Sequence, residues 1–241
     1  MCVVAIYRGL KMVSLLSVTQ NEFQRKFILS AFIAFILSFS LFTLSGCGVQ
    51  KKAAKEAVEL DPGQQRISDW YSLMREKRNV PEMEKLESVN SFFNRLEYVD
   101  DLNLWGKKDY WATPQEMLRR NGGDCEDFAT AKYFTLRHLD VADEKMRLTY
   151  VKAVKLKEPH MVLSYYAEPE TEPLILDSLT NVIVSASQRP DLIPIYSFNG
   201  EGYWLARKQS SERLGEADRL SLWQELLQRF NQEAIAAPLP P

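Results

Sequence analysis

The chain reads as an α+β domain: helices first, then a run of short antiparallel strands, then one more helix. Three observations carry this. From Gln64 to Asp140 the apolar residues recur at three- and four-residue spacing, the period of a helix with one buried face. Over residues 147–206 they gather into short runs rich in Val, Leu, Ile and Tyr, separated by turn-length gaps, as strands joined by hairpins do. Finally, Arg213–Ile235 is amphipathic, with Leu220, Trp223, Leu227 and Phe230 along one side.

Two segments of different character precede the domain. Residues 1–26 are mixed and end in Gln24-Arg25-Lys26, whereas Phe27–Leu44 is almost wholly apolar. A basic edge ahead of an apolar run is a secretory signal or a membrane anchor. The run closes on Leu44-Ser45-Gly46-Cys47, which resembles the bacterial lipobox, where a leader peptidase cuts before a lipid-modified cysteine. Residues 1–47 are therefore expected to be a lipoprotein leader and Cys47 the lipidation site; an uncleaved anchor or an ordinary signal peptide is the competing reading. Met12 is an alternative start that leaves Cys2 and Lys11 outside the protein. Gly48 follows Cys47 where inner-membrane retention would call for an aspartate, so the sorting rule points to the inner face of the outer membrane. Residues 48–63 are polar and charged, close on Asp61-Pro62-Gly63, and read as a tether.

The domain proper spans 64–235. Gln64–Arg78 predicts a helix with Ile67, Trp70, Tyr71 and Met74 on one face, and Pro81 suits the first turn of a second, with Leu86, Val89, Phe93 and Leu96 at helical spacing. Residues 98–113 carry aromatic and acidic residues without clear periodicity and predict a loop pinned against the core, able to wall a cleft; Trp105 and Trp111 are candidates to line it. Thr113-Pro114-Gln115-Glu116 is an N-cap, Pro at the first helical position and an acid in the first turn. That helix ends at Gly122-Gly123. A further helix begins at Cys125, its apolar face Phe128, Ala131, Tyr133 and Phe134. Strands follow at Arg147–Leu156, His160–Tyr166, Leu174–Asp177 and Asn181–Val184, with one or two more over 195–206. The tail 236–241 is proline-rich and expected to fray.

Composition excludes several functions. Net charge is −2 with both signs interspersed, and no basic stripe argues for nucleic acid. Only three cysteines and two histidines are present, at spacings that match no zinc site. With Cys2 and Cys47 lost to the leader and to lipid, Cys125 is a lone thiol, without a disulfide role. It falls in the first turn of a helix, where unpaired N–H groups and the positive dipole end favour a thiolate.

His160 and then Asp177 follow on strands, offering a base and an orienting carboxylate in chain order. Read from the residues alone, His160 is equally a hydrogen-bonded histidine at a strand start, and Asp177 a turn aspartate. His138 lies about 13 residues beyond Cys125 on one helix, roughly 20 Å along its axis, out of reach of the thiol. Asp124, Glu126 and Asp127 crowd Cys125. Acids near a helix start suit its dipole, yet beside a thiolate they raise its pKa. A bound cation would cancel that penalty, and calcium takes several carboxylate oxygens, although the spacing is not that of an EF-hand.

Asp109-Tyr110-Trp111-Ala112-Thr113-Pro114, Gly123-Asp124-Cys125-Glu126-Asp127, Ala131-Lys132-Tyr133, His160-Met161-Val162-Leu163, Leu176-Asp177 and Tyr196-Ser197-Phe198-Asn199 together resemble the bacterial transglutaminase-like cysteine proteinases, in particular the LapG-type periplasmic adhesin-processing proteases. The likeness covers roughly residues 65–206. It implies a papain/transglutaminase-like core, the catalytic helix packed on an antiparallel sheet, and a triad of Cys125, His160 and Asp177. It also implies calcium dependence, with Asp124 and Glu126 at matching positions and Asp127 beside them. The family's substrate is the N-terminal region of a giant surface adhesin, cut next to a pair of alanines; cleavage disperses biofilm. An inner-membrane receptor for cyclic di-GMP sequesters the protease. Two features depart from the pattern: the lipobox, and Ser178 where many relatives have asparagine. An acyl-transferring transglutaminase or amidase shares the acyl-enzyme chemistry, and a non-catalytic lipoprotein that binds a partner through the cleft shares the fold.

Overall fold

The computed structural model describes residues 60–169, 171–207, 210–215 and 221–240. The leader, Cys47 and the tether up to residue 59 lie outside the described residues. Helix α1 (Pro62–Lys77) starts earlier than expected. The Asp61 carboxylate accepts from the Gly63 N–H at 2.9 Å and the Gln64 N–H at 3.1 Å, and Pro62 has no N–H to leave unpaired. Asp-Pro-Gly ends a tether or begins a helix with the same chemistry; only the chain that follows distinguishes them. Helix α2 (Glu82–Phe93) follows Pro81 directly.

Strand β1 (Glu97–Tyr98) pairs in parallel with β2 (Gly122–Gly123). Between them lie α3 (Asp101–Trp105), capped by Asp100 and ended by Gly106 in the left-handed region, and α4 (Pro114–Arg120). Thr113 and Glu116 form the reciprocal capping box of α4. Residues 98–113, expected as a loop, thus contain one short helix. Helix α5 (Cys125–His138) follows β2 after the single residue Asp124.

Seven strands come next: β3 (Met146–Ala153), β4 (Glu158–Tyr165), β5 (Leu174–Asp177), β6 (Thr180–Ser185), β7 (Leu192–Phe198), β8 (Tyr203–Arg207) and β9 (Ser210–Gly215). They form one sheet in the order β6-β5-β4-β3-β7-β8-β9, every neighbouring pair antiparallel. Helix α6 (Ser221–Ala236) closes the chain. Residues 213–215, expected as the start of that helix, pair with β8 instead; cross-strand pairing overrides a local helical pattern.

The core lies between α5 and one face of the sheet. Phe128, Ala131, Phe134 and Leu136 of α5 pack with Met146 and Leu148 of β3 and with Met161, Leu163 and Tyr165 of β4. Each fully buried side chain of this size contributes about 1.5–3 kcal/mol, so α5 is anchored along nearly its whole length. Alternation along β4 sends Val162 to the other face, where it meets Val151 and Ile175. Trp70 of α1 donates its indole N–H to Thr135 Oγ1 at 2.9 Å. Phe134 stacks on Trp223 and Phe230 of α6, with centroids 5.5 and 4.2 Å apart. The tail, expected to fray, is docked: Leu239 packs on the core, and the Pro240 carbonyl lies 2.6 Å from His138 Nε2.

Candidate active site

Cys125 is the first residue of α5, held there by a short path. Gly122 and Gly123 pair with Glu97 and Tyr98, and a side chain at Gly122 would put its Cβ 2.8 Å from the Glu97 carbonyl oxygen. The β1–β2 ribbon therefore requires glycine there, and it fixes where α5 begins. The sulfur opens onto a cavity of about 830 Å³ that His160 also lines, together with Tyr98, Trp111, Tyr150 and Tyr196. The aromatic segment 98–113 walls one side, as its composition suggested. Trp105 is not part of that wall; it packs on Tyr110, 4.9 Å between centroids.

His160 and Asp177 are joined inside the protein. His160 Nε2 lies 2.8 Å from Asp177 Oδ1, with 1% of the His160 side chain exposed and none of the Asp177 side chain. The sheet makes this contact: β4 and β5 are antiparallel neighbours, and a register shift between Ile175 and Asp177 interrupts the β5–β6 ladder before it resumes at Asp177 and Thr180. Burial pushes the Asp177 carboxyl up, but the hydrogen bond and charge of His160, the Leu179 N–H and Arg189 outweigh it and hold the group down at about 2. With Nε2 committed to the carboxylate, Nδ1 is the other ring nitrogen. His138 does not line the cavity; it sits against Arg78 and the tail.

Around the sulfur the electrostatics run the other way. Burial, the Glu126 charge and hydrogen bond, and Asp124 push the Cys125 thiol well above its ordinary value, against the opposing Met161 backbone N–H. The thiol donates to Glu126 Oε2 at 3.1 Å. A helix start offers about 0.3–1 kcal/mol to an anion, too little against the thiol's own burial and two half-buried carboxylates beside it. Burial, with Glu126 and Asp127 beside it, pushes the Asp124 carboxyl up to about 10. Asp127 is likewise raised, chiefly by burial, and Asp101 to about 6 for the same reason.

Asp101, Asp124 and Asp127 each bring a carboxylate oxygen within 4.8 Å of the others, and Asp101, Asp109 and Glu126 form a second such group. Asp101 Oδ1, Asp124 Oδ1 and Asp127 Oδ2 are buried without a hydrogen-bond partner. Their other contacts leave these oxygens unused: Ala112 N–H donates to Asp127 Oδ1 at 2.6 Å, and Tyr110 N–H to Asp101 Oδ2 at 2.5 Å. Uncompensated buried carboxylate oxygens are costly. A hard cation with oxygen ligands fits this donor set.

The model of the bacterial transglutaminase-like cysteine proteinase family matches residues 67–210. The chain belongs to that family. It is a cysteine protease with the fold of its relatives. Three solved structures of Legionella pneumophila LapG are 44% identical and cover 71% of this chain. The EGTA-treated form aligns with a TM-score of 0.66 over 91% of its own chain, an untreated form with 0.65 over 91%, and a calcium-bound form with 0.64 over 92%. No match is found among curated proteins.

Of the residues singled out in the sequence, the protease brings Cys125 and His160 to one cavity and His160 to Asp177, and gathers Asp124 with Asp127 and Glu126 with other acids. Cys47 lies outside the described residues. Four contributors escaped the sequence reading. Asp101 joins both acid groups and Asp109 one; the Asp100-Asp101 pair inside an aromatic segment was the available signal. Tyr98, stacked on Phe128, has its hydroxyl against Cys125. Arg189 reaches Asp177, and nothing in its local sequence announces that.

Proposed function

We propose that the protein is a calcium-dependent periplasmic cysteine endopeptidase that cuts the N-terminal region of a large surface adhesin, with Cys125 as nucleophile, His160 as general base and acid, and Asp177 as the orienting carboxylate. The observation that carries this is a buried, ionised Asp177 bonded to the imidazole that shares a cavity with a thiol at a helix start. His160 accepts the Sγ proton; the sulfur bonds to the scissile carbonyl carbon, and the carbonyl electrons move to oxygen. As the C–N bond breaks, the imidazolium returns its proton to the leaving amine. Water, deprotonated by His160, then releases the acyl group from sulfur. Throughout, Asp177 keeps the ring oriented and favours its charged form. The Cys125 backbone N–H is the natural contributor to an oxyanion site.

Asp101, Asp124 and Asp127 are the residues to hold calcium, with Glu126 and Asp109 beside them. A bound calcium would supply positive charge next to a thiol that its acidic neighbours otherwise keep protonated. The calcium-bound form of the L. pneumophila relative supports this reading. The leader pattern supports lipid at Cys47 and a place on the periplasmic face of the outer membrane, with an inner-membrane cyclic di-GMP receptor as the restraint on cleavage and biofilm dispersal as the outcome.

The test incubates the calcium-loaded protein with the N-terminal fragment of the same cell's large adhesin. Wild type is expected to cut it, chelator to stop cleavage, and Cys125→Ala to cut at least about a thousandfold more slowly. Equal cleavage by Cys125→Ala removes the proposed nucleophile. Chelator-insensitive cleavage removes the calcium claim alone.

A further inference from the structure

Asp177 uses its two oxygens differently. Oδ1 takes His160 Nε2 at 2.8 Å and the Leu179 N–H at 3.1 Å. Oδ2 has no hydrogen bond but lies 2.8 Å from Arg189 Nη1, an ion pair off the hydrogen-bond line. Arg189 is itself gripped: its Nε and Nη2 each lie 3.1 Å from one Asp191 oxygen. Only 15% of the Arg189 side chain is exposed. A chain of contacts thus runs from Asp191 through Arg189 and Asp177 to the imidazole.

We infer that Arg189 is a positioning residue for the triad: by holding Asp177 Oδ2 it commits Oδ1 to His160 Nε2 and leaves Nδ1 as the nitrogen that exchanges a proton with Cys125. The inference rests on the Cys125–His160–Asp177 reading and deepens it. A carboxylate turns about its last torsion with little resistance, so an imidazole bonded to one oxygen is only as well aimed as the other oxygen is held. Asp191 removes the same freedom from the guanidinium, whose planar fork bonds Asp191 through Nε and Nη2 while presenting the charge of Nη1 to Asp177 Oδ2; a lysine ammonium has no such fork. The other charged groups facing Asp177 are His160 on β4 and Lys132 on α5, whose charge acts on the carboxylate. Lys132 Nζ is buried without a hydrogen-bond partner, so it adds potential but aims nothing. Arg189 also borders a second cavity, about 220 Å³, with Val162, Ser164 and Ile175 on the sheet face that carries the smaller apolar cluster. Truncation to alanine would extend that cavity to Oδ2.

The test measures adhesin-fragment cleavage by the calcium-loaded full chain carrying Arg189→Ala or Arg189→Lys, and the His160 tautomer by nitrogen NMR in a Cys125→Ala background. Expected for Arg189→Ala is a fall in kcat of about 10- to 100-fold, the scale of loss when a partner that orients a metal-bound imidazole is removed, with KM within twofold. Millimolar guanidinium should restore much of the lost rate and methylammonium none; Arg189→Lys should fall between. The His160 Nε2–H tautomer should lose population in Arg189→Ala and regain it with guanidinium. Cleavage by Arg189→Ala within twofold of wild type overturns the inference, as does a loss without a tautomer change that guanidinium leaves uncorrected. Should Arg189→Ala fail to fold, Arg189→Lys with wild-type kcat and tautomer population overturns it equally. Undiminished cleavage by Cys125→Ala sinks the triad reading instead and is told apart by that variant alone.

Discussion

Asp177, bonded to His160, and Asp124 and Asp127, flanking Cys125 in the chain, behave oppositely. Asp177 is fully buried and held down at about 2, because His160, the Leu179 N–H and Arg189 all favour its charge. Asp124 and Asp127 are driven upward, because burial is joined by the charges of other carboxylates. Burial raises the pKa in both places; what differs is the partners the fold provides. One site brings its own counter-charge. The other gathers carboxylate oxygens whose charged neighbours are other carboxylates.

The same substitution at the two sites should therefore act with opposite sign. Asp177→Asn strands Arg189 and the imidazole, so cleavage should fall about a thousand- to ten-thousandfold and stability by about 3–5 kcal/mol, as for a broken buried pair. Asp127→Asn in chelated protein should leave the Tm unchanged or raise it, since it removes a carboxylate with an orphaned oxygen. Calcium should then no longer stabilise the variant, whereas wild type should gain about 2.7 kcal/mol at a hundredfold excess over Kd. Calorimetry of both variants with and without calcium checks this; equal losses in chelated protein would erase the contrast.

Gly123→Ala probes the acid cluster without changing charge. An added Cβ would lie 2.5 Å from Asp127 Oδ2 and 2.7 Å from its Cβ. Overpacking of this kind costs about 1–3 kcal/mol, and calcium titration should show weaker binding as well as a lower Tm. Urea denaturation with wild-type midpoint and calcium affinity would show that the cluster tolerates displacement.

The pH profile of stability separates the two sites as well. Unfolded aspartates release their protons near pH 3.9. Folded Asp101 holds its proton to about 6 and Asp124 to about 10, so the unfolded state releases first and chelated protein should lose stability as pH rises through that window. Asp177 works in reverse: its folded value of about 2 means stability is gained between pH 2 and 4 and complete above. Thermal melts across pH in chelator should show both slopes, with Asp177→Asn removing the acid-side gain and calcium removing the fall above pH 4.

Much of this was readable in one dimension because it depends on neighbours in the chain. The Thr113–Glu116 capping box, the start of α5 at Cys125 and the strands β3 to β6 are local patterns of caps, glycines and apolar period. Where two local patterns overlapped, the reading slipped. Asp61-Pro62-Gly63 served equally as tether or helix start, and residues 213–215 fitted a helix until β8 offered them a ladder.

By itself the amino-acid sequence determined which groups exist and their local setting: one thiol at a helix start, two histidines of which one is in reach, and acids flanking the sulfur. Tertiary structure alone decided the protonation each group prefers, because charge in a protein interior is set by through-space partners. Asp101 comes to the acids of α5 across the β1–β2 ribbon, and Arg189 comes to Asp177 around the edge of the sheet. Neither approach has a spacing that a linear pattern could hold.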